Sequence, residues 1–308
     1  CEGGGMPHVA LRLARRSGGG LGGQLFMDPY TAAGARLALD PVRFVAGVGG
    51  ETRFDTALTL DGPLPGGALH GLRMPLGGVI AANGTVSVNA RCMPLAIHAV
   101  RTGSFTLQNV RQTVCPLSGG ALFAAGPAGV RGGAEMRKVD LTGSSGGSPM
   151  RLTADSARLT LDQPGFSLSN LTFAIGPRDA AVQLTAASLT GRAAAAGFGG
   201  TLGGGGGRIG AVPLIVEKTE GKWGFAGGTL KFTAGLTVHD AQAKARFVPL
   251  NVPDFALTLR DGRIAAGGSL RARRNGALVA TADIAHDLGS GKGRADLLVP
   301  KLVFDGSL

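Results

Sequence analysis

The sequence predicts an all-β fold of many antiparallel strands with few or no helices. Three observations carry the strand assignment. Short runs alternate apolar and polar residues almost end to end, glycines fall between those runs, and no stretch of comparable length keeps a helical period. A period of two puts the apolar residues of each run on one face of a sheet and the polar ones on the other.

Along the chain, residues 1–50 are glycine-rich and weakly patterned, with Gly18-Gly19-Gly20, Gly22-Gly23 and Gly49-Gly50. Regular strand signals begin near residue 51 with Phe54-Asp55-Thr56-Ala57-Leu58-Thr59-Leu60 and return at Ser104-Phe105-Thr106-Leu107. The segment Thr142 to Pro149 reads as a flexible Gly/Ser loop, followed by Phe166-Ser167-Leu168 and Leu171-Thr172-Phe173-Ala174-Ile175. Ala193 to Arg208, which includes Gly203 to Gly207, marks the best internal boundary and divides the chain into residues 1–200 and 201–308. Beyond it come Leu230-Lys231-Phe232-Thr233, Phe255-Ala256-Leu257-Thr258-Leu259 and Leu278 to Ile284, with Asp261-Gly262 and Asn275-Gly276 as hairpin turns. An echo links His239-Asp240 to His286-Asp287, 47 residues on, each followed by basic residues, Val-Pro and Asp-Gly.

Composition narrows the reading. Glycine (54 residues) and proline (16) approach a quarter of the 308-residue chain, yet 44% of it is apolar, which separates it from disordered low-complexity sequence. Aromatics are only 5%, so the buried face is made of Leu, Val, Ala and Phe. The net charge of +11 favours an anionic partner such as phospholipid headgroups or an acidic envelope polymer. Most of the basic residues are dispersed, however, and a solvated basic surface is the preferred account of them. Nucleic acid is not expected, because neither stacking platforms nor a recognition helix is present. No run reaches the roughly 18 apolar residues of a membrane-spanning helix, and the chain reads as a piece of a longer protein whose targeting segment lies elsewhere.

Cys92 and Cys115 share a Cys, near-Pro, Leu context with 22 residues between them, enough for two antiparallel strands and a turn. The expectation is a disulfide, which implies an oxidising compartment; the alternative is two separate buried thiols. A metal site is not expected, since no CxxC spacing or histidine pair completes a ligand set. Cys1 reads as a fragment start in preference to a lipidated residue.

Nothing in the sequence supports an enzyme, and no cofactor is implied. Gly143-Ser144-Ser145-Gly146-Gly147 has the spacing of a nucleophile elbow, but Pro149 and a strand follow where a helix is needed. Gly289-Ser290-Gly291-Lys292 lacks the first glycine of a phosphate loop and has Gly293 where Ser or Thr belongs. The two His-Asp pairs are expected to cap turns or pair across the sheet. The apolar faces weigh more: a sandwich would close them against a second sheet, whereas a curved single layer would leave them lining a trough. Both arrangements fit the pattern.

A resemblance separates them. The run Phe247-Val248-Pro249-Leu250, the segment Asp261 to Leu270, the run Ile284-Ala285-His286-Asp287-Leu288, and Gly291 to Phe304 resemble the C-terminal part of the YdbH family. This is a group of bacterial AsmA-like envelope proteins related in architecture to TamB and YhdP. The cysteine region Cys92 to Pro116 is similar to that family as well. The resemblance implies an elongated, strongly curved, repeating antiparallel β-sheet, a periplasmic β-groove, taco-like in section, that conducts phospholipid between inner and outer membrane. It also implies an inner-membrane anchor in a segment outside this chain, an outer-membrane or periplasmic protein partner, and no catalytic residues. The residues expected to line the groove are Phe105, Leu107, Phe166, Leu168, Phe173, Ile175 and Leu230. Phe232, Phe255, Leu257, Leu259, Leu297 and Val299 complete the set. The competing function is a scaffold that engages outer-membrane protein clients by strand pairing.

Overall fold

The structure, a computed structural model, describes residues 7–15, 20–64, 67–103, 105–127, 129–177, 181–194, 197–208, 213–287, 290 and 292–301. Cys1 and Val303 to Asp305 therefore lie outside the described residues. Every described strand is antiparallel to its partners, and no helix is found among the described residues. The chain forms two compact units: Cys1–Arg151 with Ser156–Pro164, and Leu152–Asp155 with Gly165–Leu308.

The first unit opens with β1 (Val9–Arg15), β2 (Leu21–Met27), β3 (Tyr30–Ala32), β4 (Ala35–Leu39) and β5 (Val42–Ala46). The long strands β6 (Thr52–Leu64) and β7 (Gly67–Ile80) follow, then β8 (Val86–Val88), β9 (Met93–Thr102) and β10 (Phe105–Pro116). β11 (Phe123–Gly126), β12 (Gly129–Arg131) and β13 (Gly133–Ser145) complete it, and the division between units falls within β14 (Ser148–Thr160). The ladder runs β1–β2–β5–β6–β7–β9–β10–β13, with the short strands filling its flanks.

The second unit is a plain meander. β15 (Gly165–Ile175), β16 (Val182–Ala194), β17 (Gly197–Arg208), β18 (Leu214–Ala226) and β19 (Thr229–Asp240) each pair with the next. So do β20 (Leu250–Arg260), β21 (Arg263–Ala272), β22 (Leu278–Asp287) and β23 (Gly293–Leu298). Among the described residues β23 pairs only with β22, so this ladder stays open.

Two details of the sequence reading change. The expected loop at 142–149 is only a two-residue turn: β13 runs to Ser145, β14 starts at Ser148, and Gly146 and Gly147 take φ of 55° and 83°. Positive φ at both central positions is the hairpin turn that matches strand twist. The glycine run 203–207 lies inside strand β17 of the second unit. The Asp261-Gly262 turn forms as expected, with φ of 49° and 74°.

What bends the sheets is a row of left-handed residues in mid-strand. In the second unit these are Asn170 (φ 48°), Gly204 (φ 59°) and Lys218 (φ 52°). Asn170 falls between the pairs Ser169–Ser188 and Leu171–Ala186, and Gly204 between Ser188–Gly203 and Thr185–Gly206, so both sit opposite Ala187. Lys218 lies at the register shift between β18 and its neighbours. The first unit repeats the device with Gly71 (φ 61°) and Asn109 (φ 52°), on either side of His98. Such residues bend a strand and free a ladder N–H. The freed groups find carboxylates: Gly71 N–H donates to Asp61 Oδ1 at 2.7 Å, and Gly204 N–H to Glu220 Oε1 at 2.7 Å. At the β20–β21 register shift, Ser269 N–H and its hydroxyl donate to Asp254 at 2.8 and 2.7 Å.

The Cys92–Cys115 disulfide is formed. Its geometry follows from register: Met93 pairs with Val114, so the cysteines meet one step further along the same two strands. Beside it Asn89, at φ 54°, is a buried tie. Its Oδ1 accepts from Gly77 N–H at 2.7 Å, while its Nδ2 donates to Pro75 O at 3.1 Å and to Met93 Sδ at 2.8 Å.

Candidate functional site

Directly opposed residues of an antiparallel ladder project to the same face, so the pairing registers sort every side chain of the second unit. One row runs Leu168–Leu189–Leu202–Gly221–Ala234–Phe255. A second runs Gly200–Trp223–Phe232–Leu257–Ala266–Ile284–Ala295, with Phe166 opposite Gly191 at its head. A third runs Ala193–Phe198–Phe225–Leu230–Leu259–Ile264–His286–Gly293. His286 is the one titratable side chain in these rows. The opposite face carries Thr201–Lys222–Thr233–Ala256–Gly267–Asp283–Asp296.

Across the bend the apolar alternation slips by one residue, and the slip keeps it on the same face. A Cβ placed on Gly205 would meet the Leu202 side chain, three residues away, and one on Gly268 would meet Val252 Cγ1 at 2.7 Å. Beyond the bend comes the row Phe173–Leu184–Gly207–Val216–Val238–Leu250–Ala272. Exposure rises away from the bend. Ala186, Val252 and Ala280 beside it are 4, 4 and 3% exposed, whereas Phe198 and Phe225 in the outermost row are 47 and 45% exposed. The apolar face is thus the inside of the bend and stays open at its outer rows.

This openness is visible in area. The chain exposes 19006 Å², whereas two separate compact proteins of half its mass would expose roughly 14,000 Å² together. No large side chain is fully buried among the described residues, and the best-buried apolar positions are mainly Ala and Val. A sandwich core would have hidden the Phe and Leu rows.

Aromatic rings cover glycines on this face. Phe166 and Trp223 lie 5.9 Å apart over Gly191, and Phe232, 6.2 Å from Phe255, lies over Gly221. Trp223 Nε1–H donates to Thr190 O at 2.9 Å, which leaves the indole body for the apolar side. In the first unit Phe44 and Phe54 cover Gly23 and Gly78 in the row Leu13–Gly23–Phe44–Phe54–Gly78–Val88–Phe123.

Of the expected lining residues, Phe166, Leu168, Leu230, Phe232, Phe255, Leu257 and Leu259 share the apolar face before the bend, and Phe173 lies on it beyond. Ile175 opposes Val182 on the same strand pair as Phe173. Leu297, opposite Ala282, is exposed, and Val299 lies one residue past β23. Phe105 and Leu107 belong to the first unit, where Leu107 opposes Val100 and Gly143, and Phe105 opposes Thr102 and Ser145. The sequence reading missed Trp223, Phe198, Phe225 and Ile284. Their signal was the alternation Trp223-Gly224-Phe225 and the opposing register of Phe198, which only pairing reveals.

No family model matches the chain, and no curated protein or solved structure matches it either.

The titratable groups take structural places. Asp240, with no exposed side-chain surface, accepts from Arg246 Nε at 2.7 Å and from the backbone N–H of Arg246 and Gln242 at 2.8 and 3.1 Å. The Arg246 guanidinium, ahead of the two backbone donors, holds this carboxyl far below its ordinary range. Ser269 lowers Asp254 in the same sense, and Arg151 lowers Asp140. His239 Nε2 lies 3.2 Å from Glu217, and Asp287 accepts from Ser290 N–H and Oγ–H at 2.8 and 3.0 Å. Both His-Asp pairs therefore cap turns or link strands. Among the described residues no group of His, Cys, Asp and Glu has the arrangement of a metal site.

Proposed function

We propose that this chain carries phospholipid: acyl chains lie along the apolar inner faces, and the polar faces and basic surplus hold headgroups and solvent outside. The observation that supports this most is the sorting of the second unit, where row after row is apolar on the inside of the bend and the outermost row keeps Phe198 and Phe225 exposed. Contiguous open apolar surface of that extent marks a binding surface, and aliphatic and aromatic side chains with few donors suit acyl chains rather than sugars or peptides. The disulfide fits an oxidising compartment, and no described helix is long and apolar enough to cross a membrane. The reading extends to a periplasmic conduit between the two membranes, joined to the inner one through a segment outside this chain. It needs no catalytic step, cofactor or nucleic acid.

The test is native mass spectrometry with lipid extraction on the chain secreted to the periplasm. Bound phospholipid that disappears in Phe232→Glu and Trp223→Glu is the expected result. A folded, lipid-free protein would overturn it. A second reading, a scaffold that recruits outer-membrane protein clients, draws on β23, which is exposed at every residue and paired on one side only among the described residues. Capture of an unfolded barrel strand by lipid-free protein would favour that reading.

A further inference from the structure

We propose a second site, for a phosphate group, on the polar face of the first unit at Arg12, Gln24 and Arg43. It does not depend on the apolar face. Arg12 stands opposite Gln24 on β1 and β2, and Gln24 opposite Arg43 on β2 and β5. Neighbouring strands lie about 4.8 Å apart, so the two arginine stems rise about 10 Å from each other with the amide between them. The next row on this face is Ala14–Gly22–Val45. These six residues, with Leu13, Gly23 and Phe44 of the row between them, line a depression of about 430 Å³.

The charges in this row are available. The Arg12 guanidinium lies 5.0 Å from the centroid of Phe26, a cation–π contact that holds the side chain and leaves its charge intact. Arg43 opposes Asp55 in the ladder, yet it makes no ion pair among the described residues. Arg53, one row on, is paired with Glu51 at 3.1 Å. Two guanidinium groups on one face, flanking an amide, have the donors to meet the oxygens of a tetrahedral phosphate, and Gln24 adds a further one. The small floor at Ala14, Gly22 and Val45 leaves room for an organic substituent. The ligand class is accordingly a phosphate ester, either free or presented as a lipid headgroup.

The experiment uses the whole chain with three probes: glycerol 3-phosphate by calorimetry, and vesicles of phosphatidylglycerol or phosphatidylcholine by co-sedimentation. Loss of the charge-assisted bonds in the double variant Arg12→Gln/Arg43→Gln weakens binding about tenfold or more. Arg12→Lys weakens it less, and Arg53→Gln leaves it unchanged. Arginine-dependent binding of the soluble ester assigns a free phosphate ester. Arginine-dependent binding of phosphatidylglycerol vesicles alone assigns a membrane headgroup. Binding that none of the arginine substitutions changes, or no binding of any probe, overturns the site. These arginines are exposed, so circular dichroism of the variants matches the parent. Lipid held by the Phe232 face is read separately, so each proposal fails on its own measurement.

Discussion

At the scale of single residues, the fold depends on where glycine meets an aromatic ring. A Cβ on Gly221 would lie 2.6 Å from the Phe232 ring and 2.7 Å from Thr233 O, so neither ring nor strand can give way cheaply. Gly221→Ala is expected to cost about 1–3 kcal/mol through overpacking, read as a lower urea midpoint, while Gly227→Ala, in the open turn, shows only backbone strain. Asp240 gives a pH prediction. Its folded pKa is depressed below the ordinary 3.8, so its contribution is fully present above that value and is lost as pH falls below it toward the folded value. Urea midpoints of the parent and Asp240→Asn should differ by a constant amount above about pH 5 and converge only in stronger acid. A gap that closes between pH 5 and 7 would contradict the Arg246 pairing.

At the scale of elements, the alternation of apolar and polar residues located strands such as β6, β15, β19 and β20, and the cysteine spacing fitted one hairpin, whereas β1 to β5 were hidden in a glycine-rich, weakly patterned stretch. The bends were not legible. Lys218 carries no turn signal; Asn170 enters the left-handed region readily, yet a lone asparagine inside an alternating run does not by itself mark a bend. The run 203–207 looked like a break because glycine is a usual punctuator, yet its pairings continue through register shifts. Lys218→Gly should relieve strain of about 1–2 kcal/mol and raise the urea midpoint, whereas the β-branched Lys218→Val, at φ 52°, should lower it. The disulfide joins residues 23 apart, and Cys92→Ser/Cys115→Ser should lose about 3 kcal/mol, measured by chemical denaturation against the oxidised parent.

At the scale of the molecule, area decides the energetics. An unfolded chain of this mass would expose roughly 45,000 Å², so with 19006 Å² still exposed folding hides rather less than three-fifths of it. A compact chain near this length hides about three-quarters. Because the urea m-value follows the area exposed on unfolding, it should fall about a fifth below that of a compact protein of equal length. An m-value at the compact level would mean that the apolar faces are covered in solution.

Among the described residues, each strand from β16 to β22 pairs only with the strand before it and the strand after it. Duplicating or losing one hairpin there disturbs a single pair of seams and leaves every other register as it was. Length is then a heritable trait that changes in steps of two strands, about 10 Å each, much as a rope ladder is fitted to a wall by its number of rungs.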